Sequence, residues 1–222
     1  MNIIKHANFF DPITDIKSPI HIIGCGAIGS TVAEMLTRMG VEKLNLYDFD
    51  TITPHNLANQ MFFESQIGKS KIHSLYDILT HINPTIEITV FPSEYKAQPL
   101  AGYIFLCVDD IDLRRQIATN NRYNTNIKAM FDFRMRLTDA QHYAADWQNA
   151  IQIEDFLNSM NFTHEEAKES TPTNACGTSM NIIPTVRTIV SFGLANFINF
   201  IKTKTLKKLI LVDAFHFTLD AF

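Results

Sequence analysis

Ile22-Ile23-Gly24-Cys25-Gly26-Ala27-Ile28-Gly29-Ser30, followed by Leu44-Asn45-Leu46-Tyr47-Asp48-Phe49-Asp50, decides the fold of this 222-residue chain. A short apolar run ends in Gly-x-Gly-x-x-Gly, a helix-compatible segment follows, and a second apolar run ends in an acid. That order builds one nucleotide-binding βαβ unit, in which backbone amides at a helix start receive a polyphosphate. The missing side chains let the backbone approach the phosphate, and Asp48 is positioned to accept ribose hydroxyls. The pattern alone says nucleotide without saying which; a dehydrogenase is its generic competitor.

Outward from this unit, apolar runs and helical spacings alternate. Strands are expected at 20–24, 43–48, 86–91, 103–107 and 127–133, and helices at 27–40, 68–82 and 110–124. Lys71, Ile72, Leu75, Ile78, Leu79 and Ile82 have helical spacing, and Asn83-Pro84 stops that helix. Residues 49–67 form a long polar loop of the sort that often carries function. After residue 133 the rhythm changes: an added strand near 141–147, an irregular or briefly helical stretch over 149–170, and a helix near 181–202. Short strands at 209–212 and 215–219 could then pair as a hairpin. The polar stretch 161–179 is the candidate mobile loop. The expected fold class is α/β, a Rossmann-like, mainly parallel sheet with a C-terminal antiparallel extension. It forms one domain over 1–222, with the nucleotide-binding core at about 18–133 and the extension at about 134–222.

Composition narrows the function classes. Net charge is -4 and no basic block appears, which argues against a nucleic-acid partner held by phosphate contacts. The longest apolar segment, 182–201, is interrupted by Arg187, Asn196 and Asn199, so it reads as a buried helix and not a membrane span. Met1 to Lys17 holds no apolar core of signal-peptide length. Cys25, Cys107 and Cys176 form no Cys-x-x-Cys pair or disulfide framework, and a reducing cytoplasm is the expected compartment.

Four further pieces fall at strand ends or helix starts, where open α/β sheets bind ligands. They are Asp48-Phe49-Asp50-Thr51-Ile52, Asn56-Leu57-Ala58-Asn59-Gln60, Ile67-Gly68-Lys69-Ser70-Lys71 and Leu106-Cys107-Val108-Asp109-Asp110. At these residues, and at Leu211-Val212-Asp213-Ala214 in the tail, the chain resembles the ThiF/MoeB-type adenylyltransferases, the family that includes ubiquitin-activating enzymes. The resemblance runs from about residue 18 to 220. It implies an enzyme that joins ATP to a carboxylate, usually the C-terminal glycine of a small ubiquitin-like or sulfur-carrier protein. The products are an acyl adenylate and pyrophosphate. A carboxylate needs no deprotonation at neutral pH, so positioning and charge neutralisation dominate that chemistry.

Carried over residue by residue, the resemblance makes Lys71 the phosphate-contacting lysine and Asp109 the aspartate associated with Mg2+ through ATP. Asp48 becomes the ribose acid and Asn56 a nucleotide contact. Gly24, Gly26, Ala27, Ile28, Gly29, Asp50, Asn59 and Gln60 complete the expected nucleotide site. Taken singly, Asp109 or Asp110 could merely cap a helix, Lys71 could be a solvated helix lysine, and Asn56 a turn residue.

The pattern is broken in places. Asn59 stands where the family usually has an arginine on the triphosphate, and no arginine precedes Arg38, although many relatives send an N-terminal one to the partner subunit's ATP. Arg114, Arg134 and Arg136 are the candidate substitutes, each equally readable as a surface ion-pair partner. Zinc-binding cysteine pairs are missing, so no structural zinc is expected. Cys176 lies eight residues before Pro184, close to where some relatives carry a cysteine that takes the activated acyl group. Packing or chance is the plain alternative for that thiol. The resemblance also implies a homodimer or a heterodimer. Other readings are adenylation of a peptide or a tRNA nucleoside, and a non-catalytic degenerate subunit or binding module.

Overall fold

The computed structural model describes residues 1–169, 173 and 180–222. In chain order these form α1 (Pro12–Asp15), β1 (Ile20–Ile23), α2 (Ala27–Arg38), β2 (Lys43–Tyr47), α3 (Lys71–Ile82), β3 (Glu87–Phe91), β4 (Gly102–Leu106) and α4 (Ile111–Asn120). The second half holds β5 (Ile127–Met135), β6 (Asp139–Asp146), α5 (Ala150–Asn158), α6 (His164–Glu169), α7 (Ile183–Thr203), β7 (Leu209–Asp213) and β8 (Thr218–Ala221). Two 3₁₀ turns, Pro54–Ala58 and Glu64–Gln66, break up the long loop between β2 and α3.

One sheet runs β3-β2-β1-β4-β5-β6-β7-β8. The first five strands are parallel, and β6, β7 and β8 add on antiparallel. The chain moves outward from β1 to β3, then returns to place β4 on the other side of β1. This reversal opens a crevice above the carboxyl ends of β1 and β4.

Period-2 alternation sorts the strand residues onto the two faces. Ile22, Phe105, Phe131 and Phe133 pack beneath α2 and α7, while Ile23, Leu106 and Met130 pack with Ile117, Trp147 and Phe156 on the other side. On the first face Phe197 of α7 meets both Phe105 and Phe131 edge-on, with ring centroids 5.3 and 5.5 Å apart. Burying each such ring contributes roughly 1.5–3 kcal/mol, so this cluster fixes where β5 emerges into the crevice.

The region after residue 133 is more regular than its sequence suggests. Asn149 caps α5 by accepting from the Ile151 and Gln152 amides at 3.0 and 3.2 Å. Within the stretch expected to be loop, 164–169 is helical, closed by Thr163 and Glu166 exchanging side-chain and backbone hydrogen bonds. The last strand is shifted: residues 214–217 are a turn, and β8 begins at Thr218. Asp213 causes this, accepting from the amides of Phe215 (3.0 Å) and His216 (2.9 Å) and from His216 Nδ1 (2.8 Å). No helix among the described residues is long and apolar enough to cross a membrane.

Candidate active site

The crevice is a cleft of about 760 Å³. Its floor begins at the turn after β1. Gly24 adopts φ +92, and a Cβ there would meet Val108 N at 2.7 Å, so only glycine fits. A Cβ on Gly29 would fall 1.8 Å from Gly24 O, which brings α2 tight against the turn and points its first amides at the cleft. Gly29 is thus a packing residue, while Gly24, Gly26, Ala27 and Ile28 line the cleft.

Asp48 lies beside this turn, nearly buried. Its Oδ2 accepts from Cys25 N at 2.6 Å and its Oδ1 from Asp50 N at 2.8 Å. Burial pushes its carboxyl above the usual range, against the opposing pull of those two amides and of Lys71. Lys71, on the first turn of α3, has a side chain only 9% exposed and donates to Asp50 Oδ2 at 2.7 Å. The buried ammonium is therefore no solvated helix lysine; its head is aimed into the cleft.

The end of β4 divides its two acids. Asp110 caps α4, accepting from Asp112 N at 2.8 Å and Leu113 N at 3.1 Å. Asp109 is exposed at the cleft wall and has no partner among the described residues. The capping role that either acid could have filled belongs to Asp110.

Asn59 and Gln60 also line the cleft. Asn59 donates through Nδ2 to Asn181 Oδ1, just ahead of α7. Gln60 Oε1 is buried there without a hydrogen-bond partner, an orphaned acceptor that a ligand hydroxyl or amino group would satisfy. Asn56 does not line the cleft. Its Oδ1 accepts from Thr53 N and Thr53 Oγ1, both at 2.9 Å, which closes the 3₁₀ turn and matches the turn role its sequence allowed. Burial raises the thiols of Cys25 and Cys107, so neither is a ready nucleophile. Cys176 lies outside the described residues. Among the described residues no three His, Cys, Asp or Glu side chains are placed to hold a metal.

The far wall was not singled out as a unit in the sequence. Asp132 on β5 is fully buried and pairs with Arg114 and with Arg134, the latter through Nε at 2.6 Å. Burial alone would raise the Asp132 carboxyl, but the two guanidinium groups hold it below its usual range. Arg114 also donates to Val108 O (2.7 Å) and Phe133 O (2.6 Å). Arg134 donates to Ser159 O at 2.6 Å and lies over the Tyr143 ring at 4.2 Å. The alternation of Asp132 and Arg134 on one face of β5, with Arg136 just beyond the strand, was the available signal; the partners on α4 and just after α5 were not readable.

The N-terminal segment is tied to its own chain. Phe10 is buried, His6 Nε2 bonds Met39 O at 3.1 Å, and Lys202 lies over the Phe9 ring at 4.0 Å.

Fold and cleft together define a doubly wound α/β domain with a glycine turn at its switch point. The ThiF family model matches residues 16–218, and the chain belongs to the ThiF family. It is 30% identical over 144 residues to ubiquitin-like modifier-activating enzyme 5 of Caenorhabditis elegans, an overlap of 62% of this chain and 31% of that protein. The enzyme of the same name from Dictyostelium discoideum is 46% identical over 66 residues, 30% of this chain and 17% of the relative. Among solved structures, E. coli MccB with ATP superposes at a TM-score of 0.67 and 18% identity, covering 93% of this chain and 63% of MccB. PaaA superposes at 0.68 and 14% identity, covering 93% of this chain and 64% of PaaA. The chain spans about a third or less of the length of these curated relatives.

Proposed function

We propose that this chain activates the C-terminal carboxylate of a small ubiquitin-like or sulfur-carrier protein ending in glycine, using ATP. The observation that carries the reading is the convergence of the turn at Gly24–Gly26, Asp48, Lys71 and Asp109 on one cleft. The relatives named ubiquitin-like modifier-activating enzymes support the substrate class.

The carboxylate oxygen attacks the α-phosphorus, the bond to the β-phosphate breaks, and pyrophosphate leaves. No proton moves, so the protein's task is to align the reactants and balance charge. Turn amides and the α2 N-terminus take phosphate oxygens, and Asp48 takes the ribose. Lys71 donates to the phosphate chain, exchanging part of its pairing with Asp50. Gln60 Oε1 offers an acceptor to the nucleoside. Acidic side chains outnumber basic ones along the cleft wall, so a polyphosphate needs further positive charge. Mg2+ would meet that need: Asp109, a carboxylate with no partner among the described residues, would help hold it, and the ion would supply charge neutralisation for the leaving pyrophosphate. Cys176 is assigned the second step: its thiolate attacks the acyl adenylate, AMP leaves and a thioester forms. The proposal extends to a cytoplasmic homodimer, or a heterodimer with a related subunit.

Pyrophosphate exchange into ATP tests the first step. Exchange should require Mg2+ and a glycine-terminated carrier, and Lys71→Ala or Asp109→Ala should lower it by about 10²–10³-fold or more. Exchange unaffected in both variants would refute their roles. ATP binding without exchange for any carrier would favour the non-catalytic subunit instead. A thiol-sensitive carrier conjugate that Cys176→Ser loses would support the second step.

A further inference from the structure

Five lysine and arginine side chains line the cleft: three are already matched, and Lys168, on the short outer helix α6, and Arg136 carry no ion pair among the described residues. Lys71 is paired with Asp50. Arg114 and Arg134 share the buried Asp132, and Arg134 is further fixed by Ser159. Arg136 differs. It lines the same cleft, its side chain is exposed, and among the described residues it has no ion pair or side-chain hydrogen bond. Its backbone is held, since Arg136 N donates to Asp139 O at 2.8 Å at the start of the β5–β6 turn.

Register brings Arg136 to the reacting side. β5 runs parallel to β4 with Asp132 opposite Leu106, so Arg136 and Asp109 both lie past the carboxyl ends of these strands, and both line the cleft. Asp132 and Arg134 share one face of β5, the first fully and the second partly buried, and Arg136 follows just past the strand end, exposed. Asn59 lines the cleft too, but it is neutral and its amide is bonded to Asn181. A planar guanidinium presents paired donors that match two phosphate oxygens, and it never loses its charge.

We propose that Arg136 is a phosphate-contacting residue of the nucleotide site, supplying the guanidinium that Asn59 lacks. This rests on the reading of the cleft as an ATP site and adds a residue to it. Calorimetry with Mg2+ and no carrier protein separates the two, comparing ATP with adenosine, which has no phosphate. Arg136→Ala should weaken ATP about tenfold, Arg136→Glu more and Arg136→Lys less, while adenosine affinity stays the same in all three. Unchanged adenosine binding also reports that the fold is intact. ATP affinity indifferent to all three substitutions, or adenosine affinity falling in step with it, would overturn the assignment. A wild-type chain that binds adenosine but gains nothing from the phosphates would overturn the ATP reading as well.

Discussion

The two walls of the cleft are built in different ways. From Gly24 to Lys71 the functional groups come from three short stretches, and the acid there is held by backbone amides: Asp48 accepts from those of Cys25 and Asp50, while the Lys71 ammonium pairs with the Asp50 side chain. On the far wall the acid is held by charged side chains instead of amides, with Asp132 paired to Arg114 and Arg134, and Arg134 fixed by Ser159. The first wall presents amides and an acid whose ionised form is disfavoured. The second neutralises a buried acid and leaves Arg136 unpaired among the described residues. A glycine turn can present its amides because it has few side chains to move, whereas the arginine wall must be locked before it can orient anything.

The largest effect is expected from removing the lock. Asp132→Ala leaves two guanidinium groups without their buried counter-charge and should cost about 3–5 kcal/mol in urea unfolding. A change below about 1 kcal/mol would mean that solvent reaches the cluster and that the far wall is as loosely held as a surface. Next is Gly29→Ala. Its Cβ would press on Gly24 O at 1.8 Å, a backbone atom that cannot swing away. Roughly 1–3 kcal/mol should be lost, with weakened ATP binding; normal stability and affinity would show that the turn is looser than drawn.

The two acids should also part in their pH behaviour. Asp132 titrates below its ordinary value, so its stabilisation is present above about pH 4 and is lost as pH falls through the lowered pKa. The stability gap between the wild type and Asp132→Asn should therefore shrink under acid. Asp48 titrates above its ordinary value, so its contribution is full below about pH 4 and is lost as pH rises through the raised pKa. The gap to Asp48→Asn should run the other way, and parallel pH profiles for the two variants would erase the contrast between the walls. The smallest effect is reserved for Asp50→Asn. Asp50 is half exposed, so losing its pairing with Lys71 should change stability by less than about 1 kcal/mol while still altering ATP affinity.

This difference between walls explains what the sequence could disclose. The glycine turn, Asp48, Lys71 and the parallel core were readable because each lies in a contiguous pattern with a local physical reason. The assignment of capping to Asp110 and freedom to Asp109 needed the helix geometry, since both are acids at one strand end. Asn56 was ambiguous for the same reason, until the Thr53 turn claimed its side chain. The Asp132 cluster was hidden because no contiguous motif announces that Arg114, 18 positions away, and Arg134 share one buried acid, or that Arg134 reaches the Ser159 carbonyl 25 positions on. β8 was misplaced by three residues because Asp213 gathers the following amides into a turn where aromatic spacing suggested a strand.

A crystal structure of the chain with Mg2+ and a non-hydrolysable ATP analogue tests the central claim most directly. The phosphates should lie on the amides of the Gly24–Gly26 turn, with the ribose at Asp48 and with Lys71 and Asp109 flanking the α-phosphate. A nucleotide bound elsewhere, or one in the cleft with its phosphates turned away from both Lys71 and Asp109, would contradict it.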